Sequence, residues 1–79
     1  MGKRGGQITN RLRECRAGAD GMTQQQLAQR SGVTRQTIIA IESNKYSPSL
    51  EVALRISRAV GVPLEQLFAF EEAPQHSSD

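Results

Sequence analysis

Arg35, Gln36 and Thr37 stand together in TQQQLAQRSGVTRQTIIAIESNK, residues 23–45. Thr34 is a capping residue type, and Ile38 and Ile41 recur at i and i+3, so a helix beginning at Thr34 turns its isoleucines inward. Its first turn then projects Arg35, Gln36 and Thr37 outward as a group. These are long or versatile hydrogen-bonding side chains, unlike the Glu and Lys of an ordinary solvated face. Bond-making chemistry has no comparable set. His76 is the one histidine and lies in a polar C-terminal stretch, with no nucleophile–base pair, no metal-ligand spacing and no phosphate-binding glycine loop. Recognition is expected, and no enzyme activity, metal, cofactor or small-molecule ligand.

The charge distribution indicates what is recognised. Residues 1–62 hold all ten Lys and Arg against Glu14, Asp20, Glu42 and Glu51, a net +6. Residues 63–79 hold Glu65, Glu71, Glu72 and Asp79 and no base, a net −4. A basic body with an acidic end is the footprint of a polyanion binder. Seventy-nine residues suffice for one small domain, and with aromatics at only 4% its core must be aliphatic. The single cysteine, Cys15, cannot form an internal disulfide and reads as a core thiol. No apolar run approaches the roughly 18 residues of a membrane span, and none follows the two positive charges of residues 1–7. A cytoplasmic location without membrane contact is expected.

Positioning the 35–37 group requires a helical frame. Residues 1–7 read as a flexible basic arm with early glycines. The spacing of Ile8, Leu12 and Cys15 predicts a first helix, ended in the loop AGADG. Thr23 and Gln26 form a capping-box pattern opening a second helix, with Leu27 and Ala28 inward and a break at Ser31-Gly32-Val33. The third helix starts from Thr34. Ser49 caps a fourth, with Leu50, Ala53, Leu54, Ile56 and Val60 inward and Gly61 as its stop. Pro63 opens a short fifth, where Leu64, Leu67 and Phe68 repeat at i, i+3 and i+4. Residues 71–79 read as an acidic, polar, disordered tail. No segment alternates with a strand's period, so the expected fold is all-α: a five-helix bundle over residues 8–70.

The second and third helices are joined by about four residues, too few for parallel packing, so they must cross steeply as in a helix-turn-helix unit. Ala28 is small where the axes approach, Gly32 permits the turn, and Leu27, Val33, Ile38 and Ile41 bury the inner faces. A plain helical bundle would need the same inner residues. It would not need Arg, Gln and Thr at the exposed start of the third helix.

On these residues the stretch MTQQQLAQRSGVTRQTIIAIESNKYSPSLEVALRISRAVGVPLEQLF resembles the phage repressor and Cro-type, or XRE, helix-turn-helix family. The likeness is strongest to short bacterial regulators with a TRQT…IE…KY.PSL signature. The resemblance implies a sequence-specific regulator of transcription, a repressor, that binds double-stranded DNA as a homodimer on a palindromic operator. It matches Gln24 to a phosphate-touching glutamine that buttresses the recognition helix. It gives Thr34 and Thr37 phosphates or base edges and makes Arg35 and Gln36 the base readers. Arg suits guanine O6/N7 and Gln suits adenine N6/N7 in the major groove. Asn44, Lys45 and Tyr46 would meet the backbone of the opposite strand, and Ile39 and Ala40 complete the DNA-facing set. Thr34 could serve only as a cap, and Tyr46 only as a lid on the core. Arg16 and Glu42 match a structural ion pair linking the first and third helices.

Three departures from the family pattern carry expectations. AGADGM is one residue longer than usual, which bears on where the first helix sits. Ser31 replaces a common apolar residue at a cost in packing. Ile39 stands where a polar residue such as Asn is usual, one turn beyond Arg35. There it would meet a thymine methyl, or alternatively a protein partner. The apolar ridge Leu64, Leu67, Phe68 and Phe70 is the expected dimer interface. The rival reading is a protein-interaction module or antitoxin of the same fold, which would use that ridge for another protein.

Overall fold

A computed structural model describes residues 6–72. Strand β1 (Gly6–Asn10) leads into helices α1 (Leu12–Gly18), α2 (Gln24–Ser31), α3 (Arg35–Glu42), α4 (Leu50–Val60) and α5 (Leu64–Leu67), and strand β2 (Phe68–Glu72) closes the order.

The helix boundaries follow local chemistry. Thr23 Oγ1 accepts the Gln26 N–H at 3.0 Å while the Gln26 carboxamide oxygen accepts the Thr23 N–H at 2.9 Å, satisfying two free donors at the start of α2. Thr34 and Ser49 cap α3 and α4 in the same way, each hydroxyl accepting the N–H three residues on at 3.2 Å. The exits of α2 and α4 are left-handed glycines, Gly32 and Gly61, at φ 74° and 73°. Beyond them Val33 N–H returns to Ala28 O at 3.0 Å and Val62 N–H to Ser57 O at 3.2 Å. A side chain at Gly32 is strained whatever the space around it, although its Cβ would meet only the movable Arg55 Nη1 at 2.9 Å. Gly32→Ala should therefore lose about 1 kcal/mol of stability, read as a lower urea midpoint with an unchanged slope.

Leu12, Met22, Leu27, Ala28, Ile38, Ile41, Ile56, Val60 and Leu67 form one buried cluster, against which Cys15, Val33 and Phe68 pack. It draws on every helix, so α3 is anchored from below by Ile38 and Ile41 and leaves its other side free.

Several expectations are corrected. The fold is not all-α, because β1 and β2 pair antiparallel from Gly6↔Glu72 to Asn10↔Phe68. The first helix begins at Leu12, and Ile8 lies in β1. Phe68 starts β2 and does not extend α5. Gly6, Gln7, Glu71 and Glu72, read as arm and tail, belong to this ribbon, while residues 1–5 and 73–79, His76 included, lie outside the described residues. Leu50 and Leu54 do not face inward and are 68% and 46% exposed. Ala53, Ile56 and Val60 define the buried stripe of α4, and Leu54, two residues from Ile56, lies about 200° around the helix from it. Ser31 is buried, and its hydroxyl is satisfied by donating to Leu27 O at 2.6 Å. The loop after α1 turns through two consecutive left-handed residues, Asp20 and Gly21, at φ 60° and 70°.

Candidate nucleic-acid interface

The candidate surface is built where the N-termini of α2 and α3 lie side by side. Thr34 Oγ1 accepts the Thr37 N–H and shares a 3.0 Å hydrogen bond with the Thr37 hydroxyl, so both threonines hold the first turn of α3 in shape. Thr34 is thus a cap, whatever else it contacts. Arg35 and Gln36 extend from that turn, exposed, and among the described residues Arg35 has no carboxylate partner. Ile39, one turn on, is 36% exposed, and Ala40 beside it is half-buried. An open cleft of about 630 Å³ separates Arg35 from Thr23, Gln24 and Gln25 at the start of α2, with Arg16 at its base.

Behind this face a polar cluster fixes the angle between helices. Arg16 Nε donates to Glu42 Oε2 at 2.6 Å and Nη2 donates to Glu42 Oε1 at 3.1 Å, a two-pronged pair with side chains only 14% and 6% exposed. Arg16 Nη1 donates to Met22 O at 2.8 Å, and Gln24 Nε2 donates to Glu42 Oε1 at 3.0 Å. Glu42 therefore accepts from α1 and α2 while sitting on the last turn of α3. One N–H of the Gln24 amide is committed to Glu42, and the other remains for an outside acceptor.

The turn after α3 carries the second part of the surface. Asn44 adopts φ 61°. Its N–H bonds Ile41 O at 3.0 Å and the Lys45 N–H reaches back to Ala40 O at 2.8 Å, an asparagine version of the glycine exits above. Lys45 and Tyr46 are exposed, Tyr46 at 46%, so the tyrosine is no lid on the core. Of the ridge near the C-terminus, Leu67 is buried in its own protomer, Leu64 and Phe68 are half-buried, and Phe70 is 61% exposed. Leu67 is therefore corrected out of any partner-facing set.

Asn10 is a residue that the helical spacing alone does not single out. Its Oδ1 accepts the Leu12 N–H at 3.0 Å, and its Nδ2 donates to Ile41 O at 2.8 Å and to Asn44 Oδ1 at 3.0 Å. An asparagine just before the first buried leucine is a helix-start signal, masked when the helical spacing is extended back to Ile8.

Comparison with known proteins agrees with this geometry. The helix-turn-helix family model HTH_3 matches residues 12–67. An uncharacterized HTH-type transcriptional regulator of Methanocaldococcus jannaschii is 48% identical over 65 residues, covering 82% of this chain and 97% of that protein. Another from Methanothermobacter thermautotrophicus is 57% identical over 53 residues, 66% of this chain and 77% of that protein. Among solved structures, the restriction-modification controller protein C.AhdI from Aeromonas hydrophila superposes with a TM-score of 0.65 at 32% identity, over 71% of this chain and 83% of that one. The match extends from the first to the fifth helix and includes the capped, arginine-led start of α3, and the chain belongs to the XRE-type helix-turn-helix family of DNA-binding transcriptional regulators.

Proposed function

We propose that the protein is a repressor that binds a palindromic operator as a homodimer, with α3 of each protomer in the major groove. The observation that carries this is the exposed Arg35–Gln36 pair, without a side-chain partner among the described residues, at the capped start of a helix anchored by buried Ile38 and Ile41. Arg35 and Gln36 read base edges, and Ile39 meets a thymine methyl with Ala40 beside it. Thr34, Thr37 and the free N–H of Gln24 hold phosphates on the near strand. Asn44, Lys45 and Tyr46 hold the opposite backbone.

The dimer rests on exposed apolar surface. Ile8 lies opposite Phe70 across the ribbon, 37% and 61% exposed, and Leu64 and Phe68 lie at its base. A two-stranded ribbon is marginal alone in water, and a second copy covering this pair would stabilise it. Sedimentation equilibrium should show a dimer at micromolar concentration. Selection from a random duplex library should return inverted half-sites about one helical turn, roughly 34 Å, apart. A strict monomer, free and on DNA, with no enriched sequence, leaves the protein-interaction reading in its place.

Lys45 is assigned gripping and no reading, because its ammonium is a flexible point charge beyond the helix. Lys45→Ala should weaken binding to all duplexes alike, and the slope of log affinity against log salt should fall by about one for each phosphate that is no longer neutralised. A changed base preference in this variant would contradict the placement of α3.

A further inference from the structure

Asn10 is half-buried where β1 meets α1, thirty-four residues before the turn that follows α3, yet its side chain joins the two. The orientation of its amide is set by its neighbours. Leu12 N–H can only be met by the oxygen, and Ile41 carbonyl only by the nitrogen, so a flipped amide would lose both bonds. Ile41 O is also the acceptor for Asn44 N–H, and the Asn44 side chain takes the second Nδ2 proton. Both ends of the left-handed Asn44 residue, its amide's acceptor and its side chain, therefore meet the same amide group of β1.

We propose that Asn10 is a positioning residue for DNA binding: it locks the Asn44–Tyr46 turn, and with it Lys45, against the base of the β1–β2 ribbon. A left-handed non-glycine residue costs free energy relative to the ordinary helical region, so without an outside partner this turn would sample other conformations. The Asn10 amide supplies that partner from an element with no place in the DNA-facing set. β1 is itself held by β2, and Arg11 N–H bonds Leu67 O at 2.9 Å, so the anchor is rooted in the ribbon and α5. The effect on DNA is indirect and uniform across sequence, since the turn holds phosphates while the start of α3 reads bases. This part rests on the proposed role of Lys45 in gripping a phosphate.

The test uses Asn10→Ser in the full chain. A serine hydroxyl still accepts the Leu12 N–H and is too short to reach Ile41 O or Asn44, and it leaves the charge unchanged. In the free protein, amide exchange at Asn44 and Lys45 should quicken by at least about tenfold while Leu27 and Ile38 stay protected. On DNA, affinity should fall severalfold with base preference intact, the salt slope should drop by about one, and adding Lys45→Ala should cost less than it does in the parent. Unchanged exchange at Asn44 and Lys45 overturns the proposal, as do fully independent effects of the two substitutions on binding. If exchange quickens but Lys45→Ala leaves the parent's DNA binding unaltered, the phosphate role of Lys45 fails and the positioning of the turn stands. Asn10→Asp keeps the Leu12 acceptor but replaces the donor with a charged acceptor facing Ile41 O and Asn44 Oδ1, so it should quicken exchange at Asn44 and Lys45 at least as much as Asn10→Ser. If neither variant folds, Asn10 is a structural residue and the proposal is wrong.

Discussion

Replacing Glu42 with alanine should remove roughly 3–5 kcal/mol of stability, the cost of breaking a buried pair from one side. The side chain is 6% exposed and accepts three hydrogen bonds, two from Arg16 and one from Gln24. Its loss strands the Arg16 guanidinium at 14% exposure with only Met22 O left to it. A domain this small holds on the order of 5 kcal/mol in total, so the variant should be largely unfolded near physiological temperature. Thermal melting followed by circular dichroism reads the effect. The charge, and not the lost volume, is the cause: adding Arg16→Met to Glu42→Ala should recover part of the loss, because replacing a whole buried pair by apolar groups is often close to neutral. A single variant that melts like the parent would mean the pair is solvated in solution. The same carboxylate ties α3 to α1 and α2, so fold integrity and the placement of the proposed reading helix meet here.

Gln36→Ala should leave the fold untouched and weaken operator binding by roughly 1–3 kcal/mol for each half-site, twice that for a dimer, with relaxed preference at one or two base pairs. Gln36 is exposed in the first turn of α3 and contributes nothing to the core, so stability offers no alternative explanation for a loss of affinity. The cap at Thr34 holds its backbone in place, and the amide presents a donor and an acceptor side by side, the pair that adenine N6/N7 requires. Anisotropy titrations against single-base variants of the selected operator decide it. If every variant loses affinity equally, Gln36 is gripping the backbone and α3 does not sit in the groove as argued.

How much of this was legible in the sequence depends on how local each interaction is. Thr23 with Gln26, Thr34 with Thr37, Ser49 with Val52, and the glycine stops at 32 and 61 act within a few residues, so their identities and spacing already contain the physics of helix starts and ends. The exposed Arg35–Gln36 pair was legible for the same reason: a cap and two inward isoleucines determine which way the remaining side chains of one turn must point. The ribbon was not. Its partners Gly6 and Glu72 are sixty-six positions apart, each strand is five residues long, and Ile8 fits a helical spacing with Leu12 as well as it fits a strand. Pairing energy across that distance exists only after the helices have brought both ends of the chain together. The rotation of α4, which exposes Leu54 where an inward leucine was expected, is decided by which stripe meets the core, and composition cannot choose between overlapping stripes. Asn10 shows the limit most clearly. A lone asparagine near the N-terminus has no partner in its own sequence neighbourhood beyond Leu12, and only the folded chain brings Ile41 and Asn44 within hydrogen-bond reach of its amide.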